Sequence, residues 1–151
     1  MATQMNTIAV PEQTNSNTSF SRLLWVTPLA WVASTLANLT LYWTVGSLYP
    51  EVTAWAGASQ EQIIGANAVY LLIGTVIFAL ICRWSARPAR NVIVIATVGL
   101  LLSLVMPITA GMGYGPPEVA SASQATVITL SLMHVLSYAI IVPLFVCLGL
   151  E

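Results

Sequence analysis

The stretch IIGANAVYLLIGTVIFALICRWSARPARNVIVIATVGLLLSLVMPIT, residues 63–109, decides the fold class. It holds two apolar runs, residues 63–84 and 91–109, and each is about the ~20 residues that a helix needs to cross a bilayer core. In hydrocarbon every backbone polar group must be bonded within the protein, and an α-helix achieves this by itself. The stretch therefore predicts two membrane-spanning helices joined by a short basic link.

Two further apolar runs flank this stretch, at residues 23–49 and 125–150. We therefore predict an all-α integral membrane protein, a four-helix transmembrane bundle formed by residues 22–151. The second span begins after Ser59 and Gln62, whose spacing is typical of a capping box. Residues 1–21 are rich in Thr, Asn, Gln and Ser, and they predict a polar, disordered cytoplasmic tail.

The composition excludes several classes of protein. Of the 151 residues 58% are hydrophobic and only 6% are charged, whereas a soluble domain has roughly 25% charged residues. The net charge is −1 and there is no lysine, so no basic surface is available to hold nucleic acid. We expect no enzymatic activity, because no nucleophile–base pair or metal-ligand set is evident.

The arginines predict the orientation. Arg22 precedes the first span, and Arg83, Arg87 and Arg90 lie in the link between the second and third spans. Cytoplasmic loops carry an excess of Lys and Arg, and the other two connections have neither. Both segments with arginine should be cytoplasmic, so both termini are predicted inside the cell.

Small residues predict where the helices approach one another. The first span has the pairs Ala30/Ser34 and Ala33/Ala37, and the second has Gly74. Such small-xxx-small patterns allow close backbone contact between membrane helices. We interpret them as packing surfaces within one bundle. Homodimerisation, or docking onto a larger membrane complex, is the alternative.

One ionisable side chain, His134, lies deep within a predicted span, which makes it a candidate functional residue. Ser131 and Tyr138 share its helix face, and Asn38 lies at a similar depth in the first span. The plain interpretation is a neutral imidazole that clamps two helices by bonding to Asn38, Ser131 or a backbone carbonyl. A haem or chlorophyll ligand is the alternative. No cofactor is otherwise expected, nor a metal site, since there is no second histidine and no C-x-x-C pair.

The third and fourth spans carry a family resemblance. The segment of residues 83–107, with its clustered arginines and LLLSLVMP, and the later LMHVLSYAIIVP resemble a group of small bacterial four-helix membrane proteins, the domain-of-unknown-function 6069 group. The resemblance implies a bacterial inner (plasma) membrane location and four spans. It implies no activity, and it places His134 in a motif without giving it a role.

Two functions remain open from the sequence. The first is a structural or accessory subunit that packs against membrane lipids and other membrane proteins, or against a second copy of itself. The second is a small oligomeric transporter, channel or lipid- or pigment-binding protein built around His134.

The predicted topology is testable by cysteine labelling. After Cys82 and Cys147 are replaced by serine, Glu61→Cys should react with an impermeant maleimide in intact cells, whereas Ala86→Cys should react only after permeabilisation. Labelling of Ala86→Cys in intact cells would overturn the topology.

Overall fold

The computed structural model of the protein describes residues 20–114 and 119–150. Within these ranges all regular secondary structure is helical. The helices are α1 (Phe20–Leu48), α2 (Pro50–Ala54), α3 (Gln60–Trp84), α4 (Pro88–Ser103), α5 (Val105–Gly111) and α6 (Gln124–Gly149). The tail predicted at residues 1–21 lies outside the described residues except for its last two positions, which instead begin α1.

Four helical segments are long and apolar enough to cross a membrane: Ser21–Leu48, Gln60–Trp84, Pro88–Gly111 and Gln124–Gly149. They agree with the four predicted spans within a few residues at each end. The protein is therefore a multi-pass membrane protein with four membrane-spanning segments.

The start of α3 confirms the predicted capping box. The Ser59 hydroxyl accepts a hydrogen bond from the Gln62 backbone N–H at 3.3 Å, and the Gln62 side chain accepts one from the Ser59 N–H at 2.7 Å. These two bonds satisfy backbone donors that the first turn of a helix leaves without an internal partner. They fix the entry of the chain into the second span.

The third span is interrupted, in contrast to the single helix predicted over residues 91–109. Helix α4 ends at Ser103, and α5 begins at Val105 after a turn at Leu104. Pro107 explains the break, since proline has no N–H to bond the carbonyl four residues earlier and its ring clashes with that carbonyl. That carbonyl belongs to Ser103.

The connection between α1 and α3 contains the short helix α2, which the sequence analysis did not predict. Val52 of this helix is buried, and the Tyr42 hydroxyl donates to the Ala58 carbonyl at 3.0 Å. The Trp55 indole donates to the Ala120 carbonyl at 2.7 Å, which ties this connection to the chain before α6. A hydrogen bond therefore joins the connection between α1 and α3 to the connection that precedes α6.

Helix α1 is the centre of the bundle and packs against both α6 and α3, whereas α4 packs mainly against α6 and only slightly against α3. In the most apolar part of each span, 33% of the α1 residues are buried but only 11% of those in α4 and α5. The third span is therefore peripheral.

One hydrophobic cluster lies at each end of the bundle. The first contains Leu23, Phe78, Val92 and Phe145 from the four spans, with the Phe78 and Phe145 rings edge to face at 4.9 Å. The second contains Tyr42, Val52, Ile63 and Met133. Because the first cluster joins the chain segments beside the arginines, Arg22, Arg83, Arg87 and Arg90 all lie at one end of the bundle. Glu51 and Glu61 lie at the other.

Candidate intramembrane polar site

Asn38 joins three spans in the interior of the bundle. Its side chain is only 3% exposed. The Asn38 amide nitrogen donates to the Ser137 hydroxyl of α6 at 2.8 Å and to the Asn67 side-chain oxygen of α3 at 3.3 Å. The Asn67 amide in turn donates to the Thr35 hydroxyl at 3.4 Å. We call these four residues, Thr35, Asn38, Asn67 and Ser137, the polar junction.

Small neighbours make this junction possible. Ala30 and Ser34 are completely buried on α1, two turns and one turn before Asn38 respectively, and Ala33 and Ala37 are half-buried beside them. Side chains of this size let helix backbones approach closely enough for short polar side chains to bond across the gap. The α1 positions predicted for packing therefore surround the junction.

Gly74 differs from that prediction. It is exposed, and an ideal Cβ at this position would have no atom within 4 Å. Its face of α3 meets a small gap toward α4 and α6 rather than a close helix contact. Gly74 therefore forms no tight packing surface.

Two further hydroxyl pairs cross between helices. The Thr27 and Thr75 hydroxyls are 3.2 Å apart, and because Thr75 donates to its own Leu71 carbonyl, Thr27 is the donor between them. On the far side of the bundle the Tyr138 hydroxyl lies 2.9 Å from that of Thr97. Thr97 donates to its own helix, so Tyr138 donates to Thr97 and links α6 to α4.

The structure does not gather the four residues predicted as one cluster. His134 Nδ1 lies 2.7 Å from the Leu130 carbonyl of the same helix, and the Ser131 hydroxyl donates to the Val127 carbonyl, also within α6. Tyr138 points to α4, and the hydrogen bonds of Asn38 go to Asn67 and Ser137. Of the three partners expected for His134, the structure therefore shows a backbone carbonyl. Asn38 instead bonds Ser137, one helical turn further along α6.

The His134 contact fixes the tautomer of the imidazole. A carbonyl oxygen only accepts, so Nδ1 carries a proton, and in a neutral imidazole Nε2 then keeps a lone pair. Because this bond lies within α6, it does not itself hold two helices together. His134 therefore presents an acceptor nitrogen in the membrane.

Two buried polar atoms have no hydrogen-bond partner among the described residues, the Asn38 side-chain oxygen and the Trp31 indole nitrogen. They lie seven residues apart on α1, or roughly 10 Å along the helix, so they cannot bond each other.

The described residues contain no group of three His, Cys, Asp or Glu side chains arranged to hold a metal ion. The junction consists of amides and hydroxyls, which are neutral at ordinary pH and suited to hydrogen bonding rather than proton transfer.

Sequence reasoning missed most of this site. Asn67, Thr35 and Ser137 were not singled out, although Thr35 and Asn38 share one face of α1 by their i, i+3 spacing. Thr27 lies on that same face three turns earlier. A search for polar residues repeating along one face of a span would have found this α1 surface.

A family model described as a family of unknown function (DUF6069) matches residues 18–147. The chain belongs to the DUF6069 family. The match confirms the resemblance to DUF6069. The matched residues, 18–147, include the whole polar junction as well as His134. No curated protein and no solved structure matches the chain.

The contacts predict that Asn38, rather than His134, holds the helices together. Asn38→Leu removes two interhelical hydrogen bonds and should lower the free energy of unfolding by about 1–2 kcal/mol, given a mean of ~0.6 and a maximum of ~1.7 kcal/mol for such bonds. His134→Leu breaks only a bond within α6 and should cost less than about 0.5 kcal/mol.

Equilibrium unfolding in mixed micelles, followed by circular dichroism, measures both effects. Thr40→Val is the control, because the Thr40 hydroxyl is exposed and bonds only its own Leu36 carbonyl. A larger loss for His134→Leu than for Asn38→Leu would contradict the assignment.

Proposed function

We propose that the protein is a non-catalytic accessory subunit, which packs through α4 against a helix of another membrane protein. The observation that carries this proposal is the outward face of α4 and of the first residue of α5, which has no partner among the described residues. Val94, Val98, Leu101 and Val105 are each more than half exposed. We call these four residues the α4 seam.

The spacing of the seam supports a protein partner. Its three members on α4, Val94, Val98 and Leu101, follow at intervals of four and three residues, the 3.5-residue repeat of helices that pack side by side with a left-handed crossing. Val105 continues this spacing at the start of α5, beyond the turn at Leu104. The polar member of this part of α4, Thr97, is turned away from the seam toward Tyr138. A uniform apolar stripe is thus left for an external helix, from another subunit or from a second copy of this chain.

The polar side chains support a non-catalytic role. The hydroxyl and amide side chains described above form hydrogen bonds between helices and so hold the bundle together. No acidic side chain lies in the middle of a span. An oligomeric transporter or channel, the alternative from the sequence, would need polar groups that line a continuous path. In the described residues they form the polar junction and two separate hydroxyl pairs, Thr27–Thr75 and Thr97–Tyr138.

We further propose that the protein lies in the plasma membrane with both termini in the cytoplasm. The fold supports this orientation because the arginines of two separate segments meet at one end of the bundle, and positive charge marks the cytoplasmic side. Lipid covers the remaining apolar faces, and nucleic acid is not a partner.

Disruption of the seam tests the accessory role. The wild-type chain, extracted in a mild detergent, should co-elute with a second membrane protein that mass spectrometry identifies. Val98→Trp should abolish that co-elution without lowering the free energy of unfolding, because the bulky indole spoils helix–helix contact on an otherwise open face.

Val32→Trp is the matched control, since Val32 is exposed to a similar degree on α1. It should leave the complex intact. A wild-type chain that elutes alone as a monomer would contradict the proposal, and pairing with a second copy would show that the seam serves self-association.

His134 supports a second candidate function, a ligand to the metal of a haem or chlorophyll. Metal-bound histidines usually donate their other ring nitrogen to a carbonyl or carboxylate, and His134 Nδ1 has this contact with Leu130. Nε2 is the atom whose lone pair would form the axial bond to the metal.

An absorption spectrum of the gently purified protein tests this candidate. Pigment binding predicts a visible band that His134→Leu removes and Ser131→Ala retains, because Ser131 bonds only within α6. Protein without a visible band from a host that makes the pigment would eliminate this candidate.

A further inference from the structure

An apolar groove lies between the arginine ends of α3 and α4. It has a volume of about 310 Å³. Its α3 wall consists of Ile77, Leu80, Ile81 and Trp84, which follow the spacing of one helix face, and Ile95 forms the α4 wall. The two helices make few direct contacts with each other, so the groove opens to the membrane on the side between them.

The mouth of the groove is polar and hydrogen-bonded. Ser85 and Asn91 line it, and the Ser85 hydroxyl accepts hydrogen bonds from the Asn91 amide at 2.8 Å and from the Arg87 backbone N–H at 3.1 Å. These bonds tie the end of α3 to the start of α4. The mouth is therefore fixed beside the arginine link.

Three arginines lie close to these mouth residues along the chain. Arg83, Arg87 and Arg90 are all exposed, and Arg87 lies on the same side of α4 as Asn91, one turn earlier. The described residues contain only two acidic side chains, Glu51 and Glu61, both at the opposite end of the bundle. Three guanidinium groups thus meet no acidic side chain of the described chain at this end.

We propose that this groove binds an anionic phospholipid, with one acyl chain in the groove and the phosphate held by Arg83, Arg87 and Arg90. The apolar walls match the chain, and guanidinium groups bind phosphate through paired hydrogen bonds. Trp84, 75% exposed at the same level, has the amphipathic side chain favoured at the boundary between acyl chains and headgroups. The groove lies toward α3 rather than on the α4 seam, so the lipid does not depend on the protein partner.

Charge and groove together distinguish this occupant from its competitors. A zwitterionic lipid would fill the apolar walls without supplying the net negative charge that matches the three arginines. A soluble phosphate would match the arginines but leave the groove unused. Only a ligand with both parts uses the whole surface.

Lipid titration of the full chain in detergent tests the proposal. Phosphatidylglycerol should remain bound in native mass spectrometry and raise the unfolding temperature. Phosphatidylcholine with the same chains, and glycerol phosphate without chains, should do neither. Equal effects of phosphatidylcholine, or protection by glycerol phosphate alone, would overturn the proposal.

Two variants test the headgroup and chain contacts separately. Arg87→Gln with Arg90→Gln should weaken phosphatidylglycerol binding about 25-fold, since each juxtamembrane arginine contributes about fivefold, whereas Arg22→Gln should leave binding unchanged. Leu80→Trp should block the groove, and Leu72→Trp, on an exposed part of α3 outside the groove, should not. Unchanged binding in the double arginine variant or in Leu80→Trp would contradict the proposal.

Discussion

The bundle depends on hydrogen bonds that α1 makes to its neighbours inside the membrane. Between helices in lipid the hydrophobic effect gives no net attraction, because acyl chains are as apolar as leucine side chains. Association must come from close packing and from polar bonds between helices. Asn38 provides such bonds in two directions, to Asn67 on α3 and to Ser137 on α6, and the buried Ala30 and Ser34 provide the space for them.

This central position of α1 explains the asymmetry of the molecule. Helices α3 and α6 are each bonded to α1, whereas α4 reaches the bundle through α6 and has little contact with α3. The result is a third span whose outward face contacts none of the described helices, with a groove at its arginine end. The two proposals for external partners, a helix on the α4 seam and a lipid in the groove, both follow from this one imbalance in packing.

The sequence predicts the spans and the arginine end well, because both depend on local properties that can be read directly along the chain. Length and hydropathy fix which residues cross the membrane, and arginine positions fix which connections lie together. The capping box at Ser59 was predictable for a similar reason, since its bonds join residues three positions apart. The break at Leu104 had a visible cause in Pro107, although the continuous apolar run masked it.

The polar junction was harder to predict because it depends on how each helix is rotated and shifted against the next. Matching depths paired Asn38 with His134, but the actual partner, Ser137, is three residues further along α6, a shift of roughly 4.5 Å. Such a shift is smaller than the uncertainty in the ends of an apolar run. Gly74 illustrates the same problem of rotation, since a small residue reveals nothing about whether its face meets a helix or an open gap.

The most direct test of whether the Asn38 hydrogen bonds hold the helices together is a double-mutant cycle between Asn38 and Ser137. The free energy of unfolding in mixed micelles is compared for Asn38→Leu, Ser137→Ala and the combined variant. We expect a coupling energy of about 0.6–1.7 kcal/mol between these two positions and none in the corresponding cycle of Asn38→Leu with His134→Leu. Additive effects at Asn38 and Ser137, or a coupling that instead joins Asn38 to His134, would contradict this expectation.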